Sequence, residues 1–111
     1  MTQKQEIFSL MGGRVKMHRG RYNPTSDAVW LAAYGAGRGA RDILDVGVGT
    51  GGVALCIMAH APDVNITAID VSPEMLAEFS ENSALNQLSP EIINADITTW
   101  RTDRRFDLVI T

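Results

Sequence analysis

The sequence predicts an α/β domain built on a parallel sheet. Apolar runs at residues 42–46, 65–70, 91–94 and 106–110 alternate with segments that have helical spacing or the composition of loops. Strands that alternate with helices form β-α-β units, whose strands run parallel and whose crossovers are right-handed. A glycine-rich segment follows the first run, at the place where such sheets bind ligands. We therefore expect a partial parallel sheet with the strand order 3-2-1-4 and flanking helices.

Length and composition limit the possible classes of protein. The chain has 111 residues, of which 45% are hydrophobic, and this is enough for one small packed domain. Its one cysteine, Cys56, lies in an apolar stretch and is expected to be a core residue. The N-terminus lacks the apolar core of a signal peptide, and no apolar run reaches the ~20 residues that span a bilayer. We expect a soluble cytoplasmic protein that does not associate with a membrane.

The beginning of the chain is predicted to be an N-terminal arm, residues 1–25, with one short strand. Residues 1–9 are expected to be loose. Residues 14–18 alternate basic and apolar side chains, which is typical of a half-exposed strand. Glycine and proline then interrupt this pattern, and a helix is expected over residues 28–34.

The later elements have distinct start signals. A helix is expected over residues 51–60, between the first two apolar runs. Ser72 and Pro73 are typical of the N-cap and the first position of a second helix, which should run to about Asn86. The third and fourth runs are expected to be strands, separated by a loop at residues 100–105.

The segment after the first strand predicts a cofactor site. It reads Asp45-Val46-Gly47-Val48-Gly49-Thr50-Gly51-Gly52. Glycines here permit a tight turn, a ligand lying against the backbone and close packing of the helix on the strand. Asp70 ends the second strand, where an acid can accept both hydroxyls of an adenosine ribose. Because Gly47, Gly49 and Gly52 also satisfy the dinucleotide pattern G-x-G-x-x-G, this segment alone does not separate two cofactor classes.

Two further acids favour S-adenosylmethionine over a dinucleotide. The carboxylate of Asp45 could hold a cationic amino-acid end, and Asp96, just past the third strand, could accept from an adenine amine. S-adenosylmethionine has a ribose, an adenine and an ammonium group but no pyrophosphate, so spaced acids suit it. Structural roles stay open: Asp45 could cap the glycine turn, Asp70 could be an exposed strand end, and Asp96 could form a turn.

Segments spread over almost the whole chain match one family. They are Gly12-Gly13-Arg14-Val15, Ser26-Asp27-Ala28-Val29-Trp30-Leu31-Ala32-Ala33, residues 45–51, residues 82–86 and Phe106-Asp107-Leu108-Val109-Ile110. In these segments the chain resembles Rossmann-like S-adenosylmethionine-dependent methyltransferases, and among them the tRNA (adenine) methyltransferases that modify the base beside the anticodon of a valine tRNA. The resemblance implies that residues 26–111 form the N-terminal half of the cofactor-binding domain. The cofactor contacts it implies are Asp27, Asp45, Gly47, Gly49, Thr50, Gly51, Asp70 and Asp96, although Asp27 could simply complement a helix dipole.

The resemblance also implies the reaction, which is methyl transfer to a base nitrogen of tRNA. Alternative acceptors are rRNA, a protein glutamine and a small molecule, and the rival classes are a nicotinamide oxidoreductase and a non-catalytic nucleotide-binding module. Family members follow the fourth strand with Asn-Pro-Pro and an aromatic residue, whereas here the sequence stops at Thr111. The catalytic residues are therefore expected beyond Thr111. We expect these 111 residues alone to be inactive and to self-associate through the open fourth strand.

Charge is divided unevenly along the chain. Residues 1–41 contain seven Lys or Arg and two acids, whereas residues 42–111 contain three Arg and eleven acids. The basic run at residues 14–21 could contact RNA or could be a solvated edge. No His, Cys or carboxylate set has metal-ligand spacing, so no metal site is expected.

Overall fold

A four-stranded parallel sheet is the centre of the computed structural model, which describes residues 6–19, 30–31, 34 and 39–111. The strands are β1 (Ile7–Leu10), β2 (Val15–His18), β3 (Asp42–Val46), β4 (Asn65–Asp70), β5 (Glu91–Asn94) and β6 (Leu108–Ile110), and the helices are α1 (Gly52–His60) and α2 (Pro73–Leu85). The sheet order β5-β4-β3-β6 confirms the predicted order 3-2-1-4, and every pair in it is parallel.

Helices α1 and α2 cover the same face of the sheet. The connections β3-α1-β4 and β4-α2-β5 step across the sheet in one direction, and right-handed crossovers therefore place both helices on one side. Ile43, Ile66 and Ala68 of the sheet pack in one buried cluster with Leu55 of α1 and Phe79 of α2. Removing this apolar surface from water supplies the main free energy that holds the helices on the sheet.

Helix α2 begins where the sequence predicts. Ser72 is its N-cap, and its Oγ accepts a hydrogen bond from the N–H of Met75 at 3.2 Å. Pro73 occupies the first turn, where its missing N–H costs no hydrogen bond, and Glu74 complements the positive end of the helix dipole. The helix therefore leaves the end of β4 at a fixed residue, which in turn fixes the loop that borders the candidate site.

Strand β6 is shorter than the predicted residues 106–110. The carboxylate of Asp107 accepts hydrogen bonds from the N–H groups of Arg41 and Asp42 at 3.0 and 2.9 Å, before the strand ladder begins. Phe106 lies beneath the guanidinium of Arg104, which is 5.1 Å from the ring centroid. The N–H of Asp107 also donates to the carbonyl of Asp42 at 2.7 Å, so both the backbone and the side chain of Asp107 join it to the start of β3.

The N-terminal arm is only partly as predicted. Residues 1–9 were expected to be loose, but Ile7–Leu10 form strand β1, which pairs antiparallel with β2. Gly12 and Gly13 allow the turn between the strands because both adopt positive φ, at 64° and 91°. Val15 and Met17 of β2 are fully buried in the core cluster shared with α1 and α2. The hairpin β1–β2 therefore packs against the domain and is not a loose appendage.

The helix predicted over residues 28–34 is helical at Trp30, Leu31 and Tyr34. The predicted cap of this helix and Asp27 lie outside the described residues.

Cys56 is a core residue as predicted, and burial raises the pKa of its thiol to about 11. Neither helix that the structure describes in full, α1 or α2, is long and apolar enough to span a membrane.

Candidate cofactor site

The glycine turn lies at the C-terminal edge of the sheet, between β3 and α1. Gly47, Gly49 and Gly51 have φ values of 73°, 60° and 97°, in the left-handed region that favours glycine. The N–H of Gly47 donates to the carbonyl of Ile69 at 2.8 Å, and that of Gly51 donates to Val48 at 3.1 Å. The turn therefore folds back over the end of β4, where Asp70 lies.

Asp70 is held by the backbone on both sides. Its Oδ2 accepts from the N–H of Gly49 and its Oδ1 from the N–H of Ser72, each at 2.9 Å. The side-chain amide of Asn94 donates to the carbonyls of Asp70 and Val71 at 3.0 and 3.2 Å. Asp70 is therefore fixed between the glycine turn and the start of α2, and it is not simply an exposed strand end.

Asp45 is a buried carboxyl group at the end of β3. Only 5% of the surface of Asp45 is exposed to solvent. Burial first, and the nearby charge of Asp70 second, raise the pKa of Asp45 to about 7. A positively charged group placed beside Asp45 would favour its ionised form, so this site is suited to a cation.

A cleft of about 150 Å³ opens between the ends of β3, β4 and β5. Its lining residues are Val46, Gly47, Ile69, Asp70, Val71, Ala95, Asp96 and Ile97. Val71 and Ile97 are 69% and 44% exposed, and both line this one cleft. The cleft thus presents apolar surface next to two carboxylates.

Asp96 forms a turn with the residues that follow it, which is the structural role that the sequence left open for it. Its Oδ1 accepts from the N–H and the hydroxyl of Thr98 at 2.9 and 2.7 Å. These two hydrogen bonds lower the pKa of the exposed Asp96 carboxyl below its usual value. Asp96 also borders the cleft, so the turn fixes the position of an ionised carboxylate there.

Gly51 and Thr50 have internal packing roles. A Cβ built on Gly51 would overlap the ring of Phe79, so only glycine fits between the turn and α2. Thr50 is buried, and its carbonyl accepts from the side-chain amide of Asn82 at 3.0 Å. Through these contacts both residues hold the glycine turn against α2.

Seven of the eight predicted cofactor residues belong to one region. Gly47, Asp70 and Asp96 line the cleft, and Asp45, Gly49, Thr50 and Gly51 lie on or beside the glycine turn. The eighth, Asp27, lies outside the described residues. Val71 and Ile97 were not predicted, although each directly follows an acid: Asp70 at the end of β4, and Asp96 two residues past the end of β5. That repeated acid-apolar pair is the signal that would have identified them. No cluster of three or more potential metal ligands occurs within residues 6–19 and 39–111.

Comparisons with known proteins show which family this chain resembles. The profile of a family described as "Methyltransferase domain" matches residues 43–111. A tRNA1(Val) (adenine(37)-N6)-methyltransferase of a Flavobacteriaceae bacterium is 37% identical over 99 residues, covering 86% of this chain and 42% of the relative. The release factor glutamine methyltransferase of Deinococcus radiodurans is 42% identical over 55 residues, covering 50% of this chain and 20% of the relative.

A solved structure gives the same result at the level of the fold. The crystal structure of an S-adenosylmethionine-dependent methyltransferase from Clostridium acetobutylicum superposes with a TM-score of 0.58 at 29% identity, covering 76% of this chain and 33% of that one. The chain spans about two fifths of the length of the first curated relative that it matches. The family profile, the 37% identical relative and the superposed structure all match, and the chain belongs to the S-adenosylmethionine-dependent methyltransferase family.

Proposed function

We propose that this chain provides the cofactor-binding part of a methyltransferase that modifies an adenine nitrogen of tRNA. The cleft beside Asp70, with apolar and acidic walls, is the observation that supports the cofactor assignment most directly. For the acceptor, the support is the extent of the match. The tRNA-modifying relative aligns over 86% of the chain, whereas the glutamine-modifying relative from Deinococcus radiodurans aligns over 50%.

The adenosine moiety of S-adenosylmethionine suits the cleft. An adenine ring between Val71 and Ile97 would cover apolar surface that is now exposed to water. Each Asp70 oxygen accepts one backbone N–H, and a carboxylate oxygen can accept a second hydrogen bond, so the ribose hydroxyls can bind there. Asp96 can accept from the adenine amine through Oδ2, since the hydrogen bonds from Thr98 use Oδ1.

The amino-acid end of the cofactor would lie toward Asp45 and the glycine turn. The buried Asp45 carboxyl would ionise beside the ammonium group, and we propose Asp27 as a second acid at this end. S-adenosylmethionine supplies an activated methyl group, so the described residues need only bind the cofactor and hold it in place. Residues 26–111 would thus form the cofactor-binding half of the domain.

The cofactor assignment predicts a specific loss of binding when Asp70 is changed. In the purified natural protein, Asp70→Asn should weaken binding of S-adenosylhomocysteine by roughly 10- to 100-fold, the range for hydrogen bonds to a charged group. Isothermal titration calorimetry measures this change. Glu74→Gln is the matched control, since Glu74 is an exposed acid on the first turn of α2. Binding of NADH without any response to S-adenosylhomocysteine would show that the cofactor assignment is wrong.

The basic run of the hairpin is the candidate contact for tRNA, but its members differ. The Arg14 guanidinium donates to the carbonyl of Ala59 at the end of α1, at 3.0 Å. Arg19 pairs with Glu6 at 3.0 Å on the surface, and the side chain of Lys16 is exposed. All three residues are exposed, but the Arg14 guanidinium is bonded to α1, so Lys16 and Arg19 are the better candidates for contact with phosphate.

The tRNA proposal predicts a change in salt dependence. Replacing Lys16 and Arg19 together with glutamine should weaken tRNA binding and reduce the slope of log K against log salt by about one to two. Fluorescence anisotropy at several salt concentrations measures both quantities. Arg14→Gln is the control, and it should lower stability with a smaller effect on the slope. An unchanged slope in the double variant would identify the basic run as a solvated edge.

A further inference from the structure

The outer edge of β2 is hydrogen-bonded to the side chains of Asn82 in α2 and of Asn86, the C-cap residue of that helix. The N–H of His18 donates to Oδ1 of Asn82 at 2.8 Å. The N–H of Lys16 donates to Oδ1 of Asn86 at 2.8 Å, and the Asn86 amide donates to the Lys16 carbonyl at 2.6 Å. The other edge of β2 pairs with β1. The two asparagines thus take the place of a further strand.

The spacing of the two asparagines matches the repeat of a strand. Four residues of an α-helix rise about 6 Å, and two residues of a β-strand rise about 6.6 Å. Asn82 and Asn86 can therefore meet every second residue of β2, His18 and Lys16, on its outward-facing edge. A slip of β2 by one residue would present the backbone groups that face β1 instead, so the two asparagines fix the register of the hairpin against α2.

Asn82 also contacts the glycine turn. Its Nδ2 donates to the carbonyl of Thr50 at 3.0 Å, while its Oδ1 holds the N–H of His18, and the residue is only 1% exposed. Thr50 lies between Gly49 and Gly51, two glycines with positive φ. Glycines have wide conformational freedom, so a turn that contains them needs hydrogen bonds from elsewhere to keep one shape.

We propose that Asn82 is a positioning residue for the cofactor, joining the glycine turn to the register of the β1–β2 hairpin. The proposal rests on the proposed function, since it assumes that the glycine turn binds the cofactor. Asn86 provides an internal comparison: its side chain makes hydrogen bonds to β2 and to the carbonyl of Asn82, and none to the glycine turn among the residues that the structure describes. Loss of Asn86 should loosen the hairpin, whereas loss of Asn82 should also disturb the turn.

Paired variants of the purified natural protein test this role. Asn86→Ala should lower the stability of the protein and leave the Kd for S-adenosylhomocysteine within about twofold. Asn82→Ala should lower stability and also raise that Kd by tenfold or more, measured by calorimetry at a temperature where both variants are folded. Equal Kd values for the two variants would overturn the proposal.

A second substitution separates the two ends of the Asn82 side chain. Asn82→Asp keeps an acceptor for His18 N–H but removes the amide that donates to Thr50. Above pH 8 it should raise the Kd about as much as Asn82→Ala, while the amide of His18 stays protected from hydrogen exchange. A wild-type Kd in this variant would also contradict the positioning role. If the wild-type protein binds NADH instead, the proposed cofactor is wrong, and the same ratio of Kd values measured with NADH still decides the role of Asn82.

Discussion

Gly51→Ala is expected to lower the free energy of unfolding by about 2 to 5 kcal/mol. An alanine at a φ of 97° costs about 1 to 2 kcal/mol of backbone strain. The new Cβ would also overlap the ring of Phe79, and forcing extra atoms into a packed core costs about 1 to 3 kcal/mol more. Urea denaturation monitored by circular dichroism measures the loss, which is a large part of the stability of a small domain.

Gly49→Ala is the matched control for this effect. Gly49 has a similar left-handed backbone, with a φ of 60°, but a Cβ there meets no atom within 4 Å. We expect it to lose only the strain contribution, about 1 to 2 kcal/mol. A smaller side chain in place of Phe79, introduced as Phe79→Leu with Gly51→Ala, should cost less than the sum of the two single changes. Equal losses for Gly49→Ala and Gly51→Ala would refute the steric explanation.

Asp45→Asn is expected to stabilise the protein without cofactor by up to about 4 kcal/mol at pH 8. In the folded protein the pKa of Asp45 is raised from 3.8 to about 7, so the folded state holds a proton that the unfolded state releases. Stability should therefore fall as pH rises from about 4 to about 7, and a shift of some three units corresponds to roughly 4 kcal/mol. Asparagine carries no charge, so the variant should lack this fall.

Unfolding measured from pH 4 to pH 8 tests the prediction for Asp45. Asp42→Asn, at the exposed start of the same strand, is the control and should follow the wild-type curve closely. If Asp45 holds the cationic end of the cofactor, Asp45→Asn should also bind S-adenosylhomocysteine more weakly at pH 8 while being more stable. A variant that keeps the wild-type pH dependence would show that Asp45 is not the group responsible.

The sequence predicted those parts of the fold whose signals are local. Strands β3, β4 and β5 were predicted with the bounds that the structure shows, since a buried parallel strand is a short apolar run. The start of α2 was predicted for the same reason, because a serine cap followed by proline is a local pattern. Strand β1 was missed because a four-residue strand at the edge of a hairpin leaves only a weak signal.

The features that could not be predicted depend on distant residues. The raised pKa of Asp45 arises from burial and from Asp70, which lies on another strand. The carboxylate of Asp107, just before β6, accepts hydrogen bonds from backbone groups more than 60 positions earlier in the chain. The exposure of Val71 and Ile97 becomes meaningful only when β4 and β5 are known to be neighbours. Spacing along the chain specifies none of these contacts.

The attachment of β2 to α2 has a consequence for the order in which the chain folds. The two asparagines lie 64 and 70 positions after their partners in β2. A two-stranded hairpin is barely stable alone, and closing so long a loop is entropically costly. During synthesis the hairpin leaves the ribosome before α2 but can dock only after α2 has emerged and formed. The hairpin is thus made before α2 yet reaches its native place after it.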